Sequence, residues 1–124
     1  MKASDVRSIM SSPVVTVLFN ESVKVAVSKM IEHQVGAVVV MSGGLPVGMV
    51  TERDVLKIVA EGRDPNKILT SEVMSKPLVT IGPDALVTQA IALMKEKSIR
   101  RIPIVKENKL LGIVTEKEII RNLM

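Results

Sequence analysis

The chain repeats itself. Displaced by 64 residues, Met10 falls on Met74, Pro13 on Pro77, Val15 on Val79 and Thr16 on Thr80. Val23, Ala26, Met30 and Glu32 then meet Val87, Ala90, Met94 and Glu96, and Gly48, Val50, Thr51 and Glu52 meet Gly112, Val114, Thr115 and Glu116. No gap interrupts the register. A repeat this regular sets the architecture before any local propensity is weighed. Each copy has roughly 60 residues, a length that buries too small a fraction of its surface to be comfortably stable alone. The copies, residues 1–62 and 63–124, are therefore expected to form one compact module. They should pack through their apolar strands about a pseudo-twofold axis, leaving two related clefts.

Both copies read β-α-β-β-α, an α/β (α+β) pattern. "VVTV" (Val14–Val17) and "LVTI" (Leu78–Ile81) are short β-branched strands. Ser22 opens a helix with Val23, Ala26, Val27 and Met30 on one face. In the second copy Asp84 is the expected N-cap of a helix burying Val87, Ile91 and Met94. "GAVVVM" and "RIPIV" are buried strands; Gly43-Gly44 suits a tight hairpin. The last strand of each copy ends in Thr, and a helix starts at once. "EGRDPN" (Glu61–Asn66) is the only evident linker.

Composition narrows the function classes. No apolar stretch approaches the ~18 residues of a membrane helix, and "MKASDVRSIM" lacks a signal-peptide core. A cytoplasmic location without membrane association is expected. With no Cys and a single His (His33, placed near a helix end at the surface), a zinc or other soft-metal site has almost no ligands to draw on. Phe19 is the only aromatic residue, so no base-stacking platform exists for single-stranded nucleic acid. The net charge of +4 favours anionic partners but equally suits plain solubility.

The chemistry gathers where strand meets helix. Thr-x-x-acid is a capping box, and "TEKE" (Thr115–Glu118) fits that role fully. "TERD" (Thr51–Asp54) fits it less well, because Asp is shorter and should reach back poorly. A helix N-terminus is also an anion site. Thr51 can donate to a phosphate, Arg53 adds a fork of donors, and Asp54 can accept both hydroxyls of a ribose. Arg100 and Arg101 stand at the mouth of a strand, where Arg100 reads as solvated and Arg101 as facing an anion. Pro103 restricts its strand to an edge, whose free carbonyls could meet an adenine amino group. The eight Met residues read as core filler.

The doubled "IMSSPVVTV", amphipathic helix, buried strand, hairpin and "GMVTERDVL" resemble a pair of CBS domains, a Bateman module, over essentially the whole chain. The resemblance implies a regulatory module that binds an adenosyl ligand between the repeats: AMP, ADP, ATP, S-adenosylmethionine or an NAD-like molecule. No cofactor beyond that regulatory ligand is implied. It places ribose on Asp54 and phosphate on Thr51, with Thr115 and Glu118 in the matching places and Lys117 in that of Arg53. Thr16 and Thr80 match the strand lining the adenine pocket, Val38 and Ile102, with Pro103, the second strand, and Arg101 a basic position that meets phosphate. Two departures stand out. Glu118 replaces the usual Asp, and Ala37 and Val39 stand where the second copy has Arg101 and Pro103. The two clefts should therefore differ.

The alternative is a structural dimerisation module with empty clefts. An enzyme lacks support, with no nucleophile–base pair and no His near either corner. Nucleic-acid binding rests on net charge alone. Related modules pair through helices, so a twofold homodimer is expected, built on Val23/Val27/Met30 and Leu86/Ile91/Met94. A regulated protein partner is implied, whose identity the motifs do not encode.

Overall fold

The computed structural model describes residues 4–123; residues 1–3 and Met124, at the outer ends of the two repeats, lie outside the described residues. The chain divides into two compact units that cut across the repeats. One is Val15–Leu78, and the other joins the described parts of Met1–Val14 and Val79–Met124. Each unit thus takes the lead-in segment of the other repeat.

The unit Val15–Leu78 contains β1 (Thr16–Leu18), α1 (Val23–His33), β2 (Ala37–Ser42), β3 (Leu45–Thr51), α2 (Glu52–Ala60) and the short α3 (Thr70–Val73). Its sheet order is β1-β2-β3, with β1 parallel and β3 antiparallel to the central β2. Ser22 caps α1 by accepting from the Val25 N–H, and Gln34 ends it in the left-handed conformation. The β2–β3 hairpin turns at Gly43 and Gly44, with φ +58° and +79°, values that favour glycine. Val17, Ala26, Met30, Val38, Val40 and Val50 form the core. Burying each of the Val and Met side chains contributes about 1.5–3 kcal/mol. The outer edge of β1 is sealed by side chains. Lys29 Nζ donates to the Thr16 carbonyl (2.7 Å), Thr70 Oγ1 to the Leu18 carbonyl (2.7 Å), and the Leu18 N–H donates to Glu21 Oε1 (2.8 Å). Three of the polar backbone groups on that edge are thereby withdrawn from pairing with a foreign strand.

In the second unit α4 (Val87–Lys97), β4 (Arg101–Lys106), β5 (Lys109–Thr115) and α5 (Glu116–Leu123) follow at the same 64-residue displacement. Their core is Val6, Ile9, Val87, Ala90, Met94, Ile102, Ile104, Val114 and Ile119. Two expectations change here. "LVTI" is not a strand; only Ile81 makes a parallel bridge, to Ile104. In the first unit the Phe19 N–H donates to the Met41 carbonyl (2.9 Å) and the Val39 N–H to the Val15 carbonyl (3.1 Å). Their counterparts are Pro83 and Pro103, which have no N–H, so the ladder stops. Asp84 is not the N-cap either, because α4 begins after Leu86, whose N–H donates to Gln89 Oε1 (2.7 Å). The first free N–H of α4, that of Val87, is satisfied by the Ser4 carbonyl (2.8 Å), so the docked lead-in replaces an Asp cap.

The apolar helix faces also fall differently. Val23, Met30 and Met94 are buried inside their own units, and only Leu86 and Ile91 of the expected pairing set stay exposed. Large apolar surface is instead left on α2 and α5. Leu56 is 68% exposed and Val59 58%, with Ile120 and Leu123, their counterparts, each 57%.

Each lead-in docks on a glycine. A Cβ on Gly48 would stand 2.5 Å from Met74 Sδ, and one on Gly112 2.5 Å from Met10 Sδ and 3.0 Å from the Ser11 carbonyl oxygen. Gly112→Ala should destabilise the protein by about 1–3 kcal/mol in chemical denaturation, since backbone as well as side chain must give way. Adding Met10→Ala should recover part of the loss.

Candidate functional site

The two strand–helix corners carry most of the residues singled out from sequence. At the first, Thr51 ends β3 with extended backbone (φ −115°, ψ 167°) and α2 follows immediately. Asp54 sits half-buried in the first turn. Its Oδ2 accepts from the Thr51 N–H (2.8 Å) and from Thr51 Oγ1 (3.1 Å). Among the described residues Oδ1 accepts nothing. Arg53 is exposed on the same turn.

At the second corner Thr115 Oγ1 donates to Glu118 Oε2 (2.7 Å), and Ser11 Oγ donates to Glu118 Oε1 (3.1 Å). Glu118 makes no bond to the Thr115 N–H. The expected roles are thus reversed. Asp54, thought too short, makes the backbone cap, while Glu118, thought the ideal cap, makes none. An Asp carboxylate one methylene from its Cα folds back onto its own turn. The longer Glu overshoots and finds side-chain hydroxyls. Lys117 is exposed, and half-buried Arg101 lies opposite Thr115 in the β4–β5 pairing. Arg100 is exposed, and its carbonyl accepts from the Glu116 N–H (3.1 Å), as Gly36 does from Glu52 (3.0 Å).

Other sequence candidates fall elsewhere. Val38 and Ile102 are fully buried in the two cores, so their side chains are committed to packing. Pro103 is buried, and its carbonyl is taken by the Ile81 N–H (3.1 Å). The carbonyl that Pro103 frees is that of Val79, which lacks the donor Val39 supplies to Val15. An amino group could be accepted there, next to exposed Thr80. Thr16 is half-buried, with its carbonyl held by Lys29. Sequence reasoning missed Ser11, Lys29 and Val79. For Ser11 the signal was present, since Ser11 and Ser75 are identical in the repeat register. Asp64 has its carboxyl held below the usual carboxylate range by the Asn66 N–H (2.9 Å), where it caps the turn Pro65–Lys67. Among the described residues no group of three or more His, Cys, Asp or Glu is placed to hold a metal ion, and no helix is long and apolar enough to cross a membrane.

The doubled corner and the mixed α+β units are those of a known family. The CBS domain model matches residues 6–61 and 70–124, and the chain belongs to the CBS-domain family as a tandem pair. It is 41% identical to the CBS domain-containing protein YhcV of Bacillus subtilis, across 98% of this chain and 86% of that protein. It is 44% identical to protein MK0525 of Methanopyrus kandleri over 75% of this chain, and the match spans 49% of that longer protein. Among solved structures, the CBS domain pair of protein MJ0100, in complex with 5-methylthioadenosine and S-adenosyl-L-methionine, has a TM-score of 0.89 at 27% identity, covering 98% of this chain and 97% of that one.

Because Asp54 holds the cap, Asp54→Ala should lower the stability of the ligand-free protein by about 1 kcal/mol in urea denaturation. Glu118→Ala, which removes no backbone cap, should cost less.

Proposed function

We propose that the chain is a regulatory binding module for an adenosyl ligand, whose ribose is held by Asp54 and whose phosphate is met by Arg53 and by the Thr51 hydroxyl turned from Asp54 Oδ2, the Thr51 N–H keeping the carboxylate in place. The observation that carries this reading is the geometry of Asp54. One carboxylate oxygen is fixed on Thr51, which orients the group, and the other accepts no hydrogen bond among the described residues. A ribose diol offers two donors to such a carboxylate, and the N-terminus of α2 favours a neighbouring anion. The bound 5-methylthioadenosine and S-adenosyl-L-methionine of the MJ0100 pair support an adenosine-like ligand. At the second corner Arg101, Lys117 and the Val79 carbonyl offer phosphate and amino contacts around Thr115. The candidates are AMP, ADP, ATP, S-adenosylmethionine and NAD-like molecules. The module turns nothing over in this reading; ligand binding alters a protein partner.

A homodimer belongs to the same reading, now on a different face. Leu56 and Val59 on α2, and Ile120 and Leu123 on α5, are the apolar surface that a second copy would cover.

Two measurements test these points. A thermal-shift panel of the adenine nucleotides and S-adenosylmethionine should show one compound adding roughly 2.7 kcal/mol at 100 times its Kd. Dye or calorimetric detection is needed, because the chain has no Trp or Tyr. Asp54→Ala should weaken the compound that binds by about 2–3 kcal/mol. Sedimentation should give a dimer for the parent protein and a monomer for the Leu56→Glu, Ile120→Glu double variant. A monomeric parent at micromolar concentration, with and without nucleotide, removes the homodimer.

A further inference from the structure

We propose that the length of the acid closing each corner decides its use: Asp54 leaves its corner open to a ribose, whereas Glu118 clasps the docked lead-in through Ser11, so the chain binds one ribose-bearing ligand. The ligand half of this proposal rests on the ribose reading of Asp54; the clasp half does not.

The molecule supplies its own control. Both lead-ins carry Met-Ser at the same register, Met10-Ser11 and Met74-Ser75. Both dock alike. Ser11 N–H donates to the Ile113 carbonyl (2.9 Å) and Ile113 N–H to the Ser11 carbonyl (3.0 Å). Ser75 N–H donates to the Met49 carbonyl (2.9 Å) and Met49 N–H to the Ser75 carbonyl (3.3 Å). Both methionines lie against the glycine one residue earlier in the strand, Gly112 or Gly48. A serine is therefore seated by the same pair of backbone bonds beside each corner, and the acid differs by one methylene. Glu118 spans the gap to Ser11 Oγ. Asp54 does not, and the Ser75 hydroxyl makes no hydrogen bond among the described residues.

The consequence for a ligand follows from exchange of partners. At Glu118 both carboxylate oxygens already accept a hydroxyl, from Ser11 and from Thr115. Each of these oxygens keeps one further lone pair, so an arriving diol would share acceptors already engaged and held toward Ser11 and Thr115, for a smaller gain. At Asp54 Oδ1 gains a donor without losing one. The Ser11–Glu118 bond also joins the segment before Val15 to α5 by a side-chain contact that the other unit lacks. Repeat divergence has thus converted one of two equivalent corners into a fastening.

Exchanging the acids tests both halves. Calorimetric titration with AMP and with ATP, each compared with the 2′,3′-dideoxy analogue, should give one ribose-dependent site per chain in the parent protein. Glu118→Asp should raise this to two, and Asp54→Glu should weaken the parent site at least about tenfold. Amide hydrogen exchange without ligand reads the clasp separately. Ser11 and Ile113 should exchange faster in both Glu118→Asp and Ser11→Ala, with Met49 and Ser75 unchanged. Two ribose-dependent sites in the parent, or one in Glu118→Asp, would overturn the ligand half while leaving the adenosyl reading standing. Failure of AMP and ATP to bind any of these proteins would overturn the ligand half, and a thermal-shift panel without any response would overturn the adenosyl reading with it. Unchanged exchange at Ser11 and Ile113 in both variants would overturn the clasp, whatever the titrations show.

Discussion

A methionine lying across a glycine fixes much of what each unit can do. Gly48 and Gly112 leave no room for a Cβ because Met74 and Met10 occupy that space. The contact sets where the lead-in lands, and the paired backbone bonds of Ser75 and Ser11 then hold it in register. From that register the N-terminus of each long helix gains its missing acceptor, Ile68 for Val23 and Ser4 for Val87, both at 2.8 Å. It also sets which serine stands beside the corner acid. Packing, capping and site chemistry all follow from one close approach, which only glycine permits.

Much of this was legible in the sequence, because the repeat register carries over to three dimensions without a slip. α1 and α4, β2 and β4, and β3 and β5 begin and end at equivalent residues. Ser22 was readable as a cap and Gly43-Gly44 as a hairpin, since both signals are local. The equivalent hairpin turns at Glu107 and Asn108 with φ 51° and 65°, so the duplicated pairing imposes the turn on Glu107, which does not favour it, beside Asn108, which tolerates it. The misreadings share one cause. Asp84 and "LVTI" were judged by their neighbours in sequence, but their fate was decided by a segment from the other repeat and by missing N–H groups at Pro83 and Pro103. Local pattern cannot report a partner some 80 residues away.

The two corner acids were misjudged for a related reason. Reach was reckoned from the helix turn alone, as though the cap N–H were the only donor within range. On that basis Glu seems the better cap and Asp the poorer. The docked lead-in adds a serine hydroxyl, and the longer acid is drawn off to it. Asp54, unable to make that contact, settles on Thr51 and keeps an oxygen in hand. Side-chain length and the repeated serine were legible; that the docked lead-in would set Ser11 beside the acid was not.

Divergence between the copies has not been uniform, and its pattern separates two kinds of demand. The corners differ in the acid, in Arg101 against Ala37, and in Pro103 against Val39. The outward faces of α2 and α5 stay apolar, since Leu56 and Val59 answer Ile120 and Leu123 in polarity and exposure. A bound small molecule needs one competent corner, so the other is free to take up a structural task. A self-complementary face covered by a second copy is constrained along its whole length, because in a twofold pair each residue meets a symmetry-related surface. Apolar residues more than half exposed on both terminal helices are costly for solubility unless something covers them. Their presence on both helices, beside corners that have drifted apart, is what the proposed homodimer and the proposed single ribose site each call for.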